Sequence, residues 1–121
     1  MQMIMLVLDD PDLLDEVVGS WRSAGVTGAT ILESMGAYRR ETDHVRGRYL
    51  FGMPALAETA ARAQYTLFAI VPDRSVAELA LQATEEITGD LNQPNTGVFA
   101  AWELSMAKGL PDNATQRGSE R

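Results

Sequence analysis

Residues 3–8 (Met, Ile, Met, Leu, Val, Leu) form an unbroken apolar run closed by Asp9 and Asp10, the pattern of a short buried strand. Asp10 followed by Pro11 predicts a helix start, with a carboxylate at the N-cap and proline in the first turn. Leu14, Val17, Val18 and Trp21 then recur at helical spacing, and Gly25 ends the element. Residues 28–34 predict a second strand. A connection of about thirty residues follows, 35–64, whose alanine-rich part at 54–62 predicts a short helix; connections this long are usually functional or disordered. Residues 65–71 predict a third strand. Ser75 and Glu78 have capping-box spacing and open a predicted helix with Val76, Leu79, Ala80, Ala83 and Ile87 on one face and Gly89 at its end. Residues 97–104 predict a fourth strand, with an extension towards Met106. Residues 111–121 are polar and are expected to be a disordered tail.

The element order is β-α-β-loop-β-α-β. Two right-handed β-α-β halves give an α+β, ferredoxin-like βαββαβ sandwich: a four-stranded antiparallel sheet with two helices on one face, in one domain over residues 1–110. Two helices can cover only one face of such a sheet. Yet Met3, Met5 and Val7 alternate with Ile4, Leu6 and Leu8, so the first strand is apolar on both faces. The third strand repeats this, with Leu67 and Ala69 against Phe68 and Ile70. A sheet with one wet face alternates apolar with polar. The second face is therefore expected to be covered, most simply by other copies of the chain.

Charge narrows the function classes. Among 121 residues, 10 are basic and 17 acidic, giving a net charge of −7, which disfavours nonspecific binding to nucleic acid or anionic membrane. The run 3–8 is too short for a membrane span or a signal sequence, and the expected location is cytoplasmic. With no cysteine, disulfides, thiol catalysis and cysteine metal sites are excluded. His44 is the only histidine and has no companion ligand, so no metal site is expected. No nucleophile–base pair is visible, and no catalytic residue is assigned. Glu33 and Glu103 are strand carboxylates that would matter only if they converged. Trp21 and Trp102 suit core or interface positions.

Against this acidic background, four of nine arginines (Arg39, Arg40, Arg46 and Arg48) fall within ten residues of the long connection. Guanidinium is well shaped for phosphate or carboxylate, although Glu41 and Asp43 lie beside these arginines and could pair with them.

The motifs, in this order, resemble the PII signalling superfamily. The opening strand with Leu14, Asp15, Glu16 and Val17 is similar to that family's first strand and helix. The stretch from Gly25 to Glu33 is similar to its second strand, and Gly36 to Arg39 lies where its T-loop begins. The resemblance covers about residues 1–110 apart from the loop interior. It implies a homotrimer and no enzymatic activity. It also implies an adenine nucleotide or similar small anion bound between subunits, with no further cofactor, and a partner protein docked through loop 35–64. Carried onto this chain, the ligand residues are Thr30, Gly36, Arg39, Gly89, Asn95, Thr96, Gly97 and Lys108. The partner-facing residues are Tyr38, Arg40, Arg46, Arg48 and Tyr49. Gly36 suggests a positive φ or a close backbone approach, and the amides of Asn95, Thr96 and Gly97 suggest an anion nest.

The pattern also departs from the family. Its glycine-rich phosphate loop is replaced by residues 89–97, Gly97 stands where its lysine would, and the two arginines at its last strand correspond to Lys108 and Leu110. Two other readings stay open: a structural trimer akin to the CutA relatives, without nucleotide binding, and a small ferredoxin-like enzyme.

Overall fold

A computed structural model describes residues 1–37 and 64–110. The elements are β1 (Gln2–Leu8), a short 3-10 turn (Pro11–Leu13), α1 (Leu14–Ser23), β2 (Thr30–Ser34), β3 (Gln64–Val71), α2 (Arg74–Thr88) and β4 (Gly97–Glu103). The strands form one antiparallel sheet in the order β2-β3-β1-β4. With both helices on one face, this is the ferredoxin-like α+β sandwich that the sequence predicts.

The core sits between the helices and that face. Ile4, Leu6 and Leu8 of β1 and Leu67, Ala69 and Val71 of β3 are buried against Val17 and Trp21 of α1 and Ala77 and Ala80 of α2. Trp21 is fixed twice. Its indole N–H donates to Thr84 Oγ1 at 2.8 Å, and its ring meets Phe99 edge-on at 6.4 Å. Thr84 in turn donates to the Ala80 carbonyl at 2.7 Å, so both polar side chains brought into this part of the core are paired.

Several local expectations are revised. The N-cap of α2 is Asp73, two residues before the expected serine. Its carboxylate accepts from the Val76 amide at 3.0 Å, and Ser75 donates its hydroxyl to the same carboxylate. A carboxylate caps a helix better than a hydroxyl that it has recruited as a donor, and these hydrogen bonds hold the Asp73 pKa below its ordinary value, Ser75 first and Val76 second. Glu78, freed from a capping box, pairs with Arg74 across an exposed turn. The buried face of α2 runs through Ala77, Ala80 and Thr84, and Leu79 is left exposed. β2 begins at Thr30 instead of residue 28, because its pairing with β3 ends at Thr30–Phe68. β4 ends at Glu103, with one further hydrogen bond from the Leu104 amide to the Met1 carbonyl. Glu33 and Glu103 do not converge: they lie on opposite edge strands and at opposite ends of the sheet, roughly 25 Å apart from three interstrand spacings across and six residue steps along.

Among the described residues, no helix lies on the sheet's other face. Register places Val98, Val7, Thr66 and Leu32 in one row, Ala100, Met5, Phe68 and Thr30 in the next, and Trp102, Met3 and Ile70 in a third. In the single chain, Val98 is 56% exposed, Leu32 50% and Trp102 44%. The apolarity of both faces of β1 and β3, legible in the sequence, is thus a continuous bare patch in the structure. Its polar members gather at the end nearest Gly36, where Ser34 and Thr66 share a hydroxyl hydrogen bond of 2.6 Å and Gln64 donates to Asp9 at 2.7 Å.

Candidate functional site

At the opposite end of this bare face lies an open trough of about 750 Å³, within the range of small-molecule sites. Met3, Phe68 and Ile70 form its floor, each projecting from the face that lacks helices. One wall is the α1–β2 connection, with Thr27, Gly28, Ala29 and Thr30. The other is the chain after β4, with Ala107, Lys108, Gly109 and Leu110. Because β2 and β4 are the two edges of the sheet, residues 107–110 cross the end of the sheet to face Thr30. Among the described residues, Lys108 is the only charged side chain in the lining, and the hydroxyls of Thr27 and Thr30 are the only other polar side-chain groups.

The structure therefore brings together Thr30 and Lys108 from the candidate ligand set. It does not bring them to the others. Gly36 follows the end of β2 near Gln64, and residues 89–97 lead into β4, whose Gly97 pairs with Leu8. Those residues sit at the far end of β1, three to five residue steps beyond the rows of the floor residues, about 10–16 Å along the sheet. Tyr38, Arg39, Arg40, His44, Arg46, Arg48, Tyr49, the helix expected at 54–62 and the tail 111–121 lie outside the described residues. Sequence reasoning misses the floor residues Met3, Phe68 and Ile70 as members of a site. Their signal is the same two-faced apolar alternation that marks the bare face.

The two glycine expectations separate. Gly36 has neither a positive φ nor a crowded Cβ position, its nearest neighbour being the Gln64 side chain at 4.0 Å. The chain itself does not demand glycine there. Gly97 is the opposite case: φ is +148°, and a Cβ would stand 2.3 Å from the Val7 carbonyl oxygen. Only glycine fits, so a lysine in this position is sterically forbidden and not merely lost.

Part of the turn at 89–97 is held by its own hydrogen bonds. Glu85 accepts from the Leu91 amide at 3.0 Å, and Asp90 accepts from the Asn92 amide at 2.9 Å. The Asp90 carbonyl takes the Gln93 amide, and the Thr96 hydroxyl is directed to the carbonyls of Gln93 and Leu91. Asn95 holds a left-handed φ of +62°, as a nest would require. Two amides upstream of it, those of Leu91 and Asn92, already have carboxylate partners, whereas the amides of Asn95 and Thr96, expected to form the nest, have no hydrogen-bond partner among the described residues. Among the described residues, no group of His, Cys, Asp or Glu could hold a metal ion. None of their helices is long and apolar enough to cross a membrane.

No family model and no curated protein matches this chain. Among solved structures it is similar to a protein from Thermus thermophilus, provisionally described as a PII-like signalling protein. The match has a TM-score of 0.50 and 14% sequence identity, and covers 84% of this chain and 82% of the other. The likeness places this chain's fold beside that of a PII-like protein. At this identity it speaks for the fold alone.

Proposed function

We propose that this protein is a PII-like regulator: a homo-oligomer, trimeric by its resemblance, in which a small anionic ligand binds where copies meet and the signal leaves through loop 35–64. The observation that carries this reading is the bare apolar face with the trough built into its end. A face presenting Met3, Met5, Phe68, Ile70, Leu32, Val98 and Trp102 to water would be a costly surface for a monomer, and contiguous apolar patches of this kind mark contact surfaces.

The ligand set has a geometric consequence. Thr30 and Lys108 stand at one end of the sheet, and Gly36 with residues 89–97 at the other. They can act on one ligand only if one copy's trough meets the next copy's far end. Such head-to-tail contacts close into a ring when the rotation permits. Arg39, at the base of the loop, would then lie near the ligand, and ligand binding would favour one state of loop 35–64. That coupling requires the ligand to bind the signalling state more tightly than the other, by at least the cost of ordering the loop. The loop, with Tyr38, Arg40, Arg46, Arg48 and Tyr49, would present the partner-binding surface.

Light scattering at micromolar concentration tests the assembly. A mass of about three chains is expected, and Trp102→Glu, which places a charge in the middle of the contact, is expected to lower it. A monomeric wild-type mass contradicts the reading. The carboxylates of Glu85 and Asp90 at the turn before β4 favour one alternative, a structural trimer without ligand, in which the trough would bind none of the nucleotides or small anions offered to it.

A further inference from the structure

We infer that the trough takes a compact apolar or heteroaromatic ligand bearing a single negatively charged group, held at Lys108, and that it does not take a nucleoside polyphosphate. The inference rests on the reading of the trough as the ligand site and adds the chemical class of its occupant.

Three observations carry it. The floor is apolar, with Met3, Phe68 and Ile70 side by side over two adjacent strands, so a flat or branched apolar body can bury itself there. Among the described residues, Lys108 is the one charged side chain in the lining, and no carboxylate side chain lines the trough with it. An ammonium is a compact point charge that matches one anionic group, whereas bidentate recognition of a longer anion is arginine chemistry. Finally, the turn that would receive further phosphates carries the carboxylates of Glu85 and Asp90 and no basic residue. The amides of Leu91 and Asn92 already donate to Glu85 and Asp90, and Gly97 has no room for a cationic side chain. A β- or γ-phosphate brought to that turn would face the carboxylates of Glu85 and Asp90 as like charges. The turn therefore disfavours the polyphosphate end of a nucleotide by charge, and the trough itself offers one cationic side chain among the described residues, Lys108, to a single anionic group.

A pair of fluorescent probes separates the terms. 1-Anilinonaphthalene-8-sulfonate carries an aromatic body and one sulfonate, and N-phenyl-1-naphthylamine is its neutral counterpart. Titrations of the full chain are expected to show both binding, with both weakened by Ala29→Trp, which fills the trough from an exposed loop. Lys108→Gln is expected to weaken the sulfonate about fivefold, to leave the neutral probe unchanged, and to be rescued by Lys108→Arg. In competition, ATP is expected to displace the sulfonate probe no better than AMP. Equal responses of the two probes to Lys108→Gln would overturn the role of charge. Displacement by ATP at a tenfold lower concentration than AMP would overturn the ligand class while leaving the site itself standing. Binding of neither probe, with no nucleotide binding either, would overturn the site and the inference together.

Discussion

Gly97 offers the sharpest single test of the reading that the turn at 89–97 has been rebuilt and not simply eroded. Replacing it with alanine adds one methyl group at a position with φ of +148° and a carbonyl oxygen 2.3 Å away. Holding a residue with a side chain in that backbone region costs about 1–3 kcal/mol. The overlap must also be relieved. Ordinary contact begins near 3.4 Å, so the backbone must shift by about 1 Å, and the obstructing atom belongs to β1, which is hydrogen-bonded on both sides, by β3 and β4. Forced overpacking of this kind costs about 1–3 kcal/mol more. Together the loss is about 2–6 kcal/mol, a large part of the 5–15 kcal/mol typical of a domain. For a chain of this size, that lowers Tm by at least about 8 °C. Urea denaturation with an unchanged m value is the assay, and Gly97→Lys is expected to lose at least as much as Gly97→Ala. Gly19 supplies the control. It lies in α1 with nothing within 4 Å of its Cβ position and no positive φ, so Gly19→Ala is expected to stabilise by about 0.5–1 kcal/mol. If Gly97→Ala falls within about 0.5 kcal/mol of wild type, the range of an ordinary surface substitution, the close approach to Val7 is wrong, and with it the steric account of why no lysine stands there.

Two further predictions concern parts of the fold away from the site. Thr84→Val is expected to cost about 1–3 kcal/mol, because it strands the buried indole N–H of Trp21, whereas Thr84→Ser keeps the acceptor and recovers most of that loss in the same denaturation assay. Asp73→Ala is expected to lower Tm at neutral pH by removing the α2 cap. Since hydrogen bonds depress the Asp73 pKa in the folded state, its contribution is full above the unfolded-state pKa and is lost as pH falls through the folded-state value. The gap between variant and wild type should therefore close in acid, and a gap that persists at about pH 2 contradicts the assignment.

The fold is legible because its strands are short, apolar and clearly bounded, and because the apolarity of both faces of β1 and β3 is written in consecutive residues. What the sequence hides depends on contacts between residues at irregular separations. The carboxylate of Glu85 reaches an amide six residues on, and nothing in a Gly, Asp, Leu, Asn, Gln, Pro, Asn, Thr, Gly run announces that its amides are already taken. At the start of α2, Ser75 and Glu78 match a capping motif that Asp73, two residues earlier, pre-empts. Apolarity alone turns Leu79 inward, although the small residues Ala77 and Ala80 and the polar Thr84 line the face that meets the core. Of the candidate site, Thr30 and Lys108 are legible from the resemblance. The trough between them is not, since it depends on residues 107–110 crossing the sheet beyond β4.

The central claim is that the trough at the end of the bare sheet face is a ligand site. Thermal shift of the purified protein with AMP, ADP, ATP, cyclic AMP and bicarbonate, with and without magnesium, tests it most directly. A ligand at about a hundred times its Kd adds about 2.7 kcal/mol and should raise Tm by several degrees. The account predicts such a shift for at least one small anion, reduced by about a third in Lys108→Gln at the same ligand concentration and no larger for ATP than for AMP. No shift with any of them, from a protein that is nonetheless oligomeric, would contradict it and leave a structural assembly in its place.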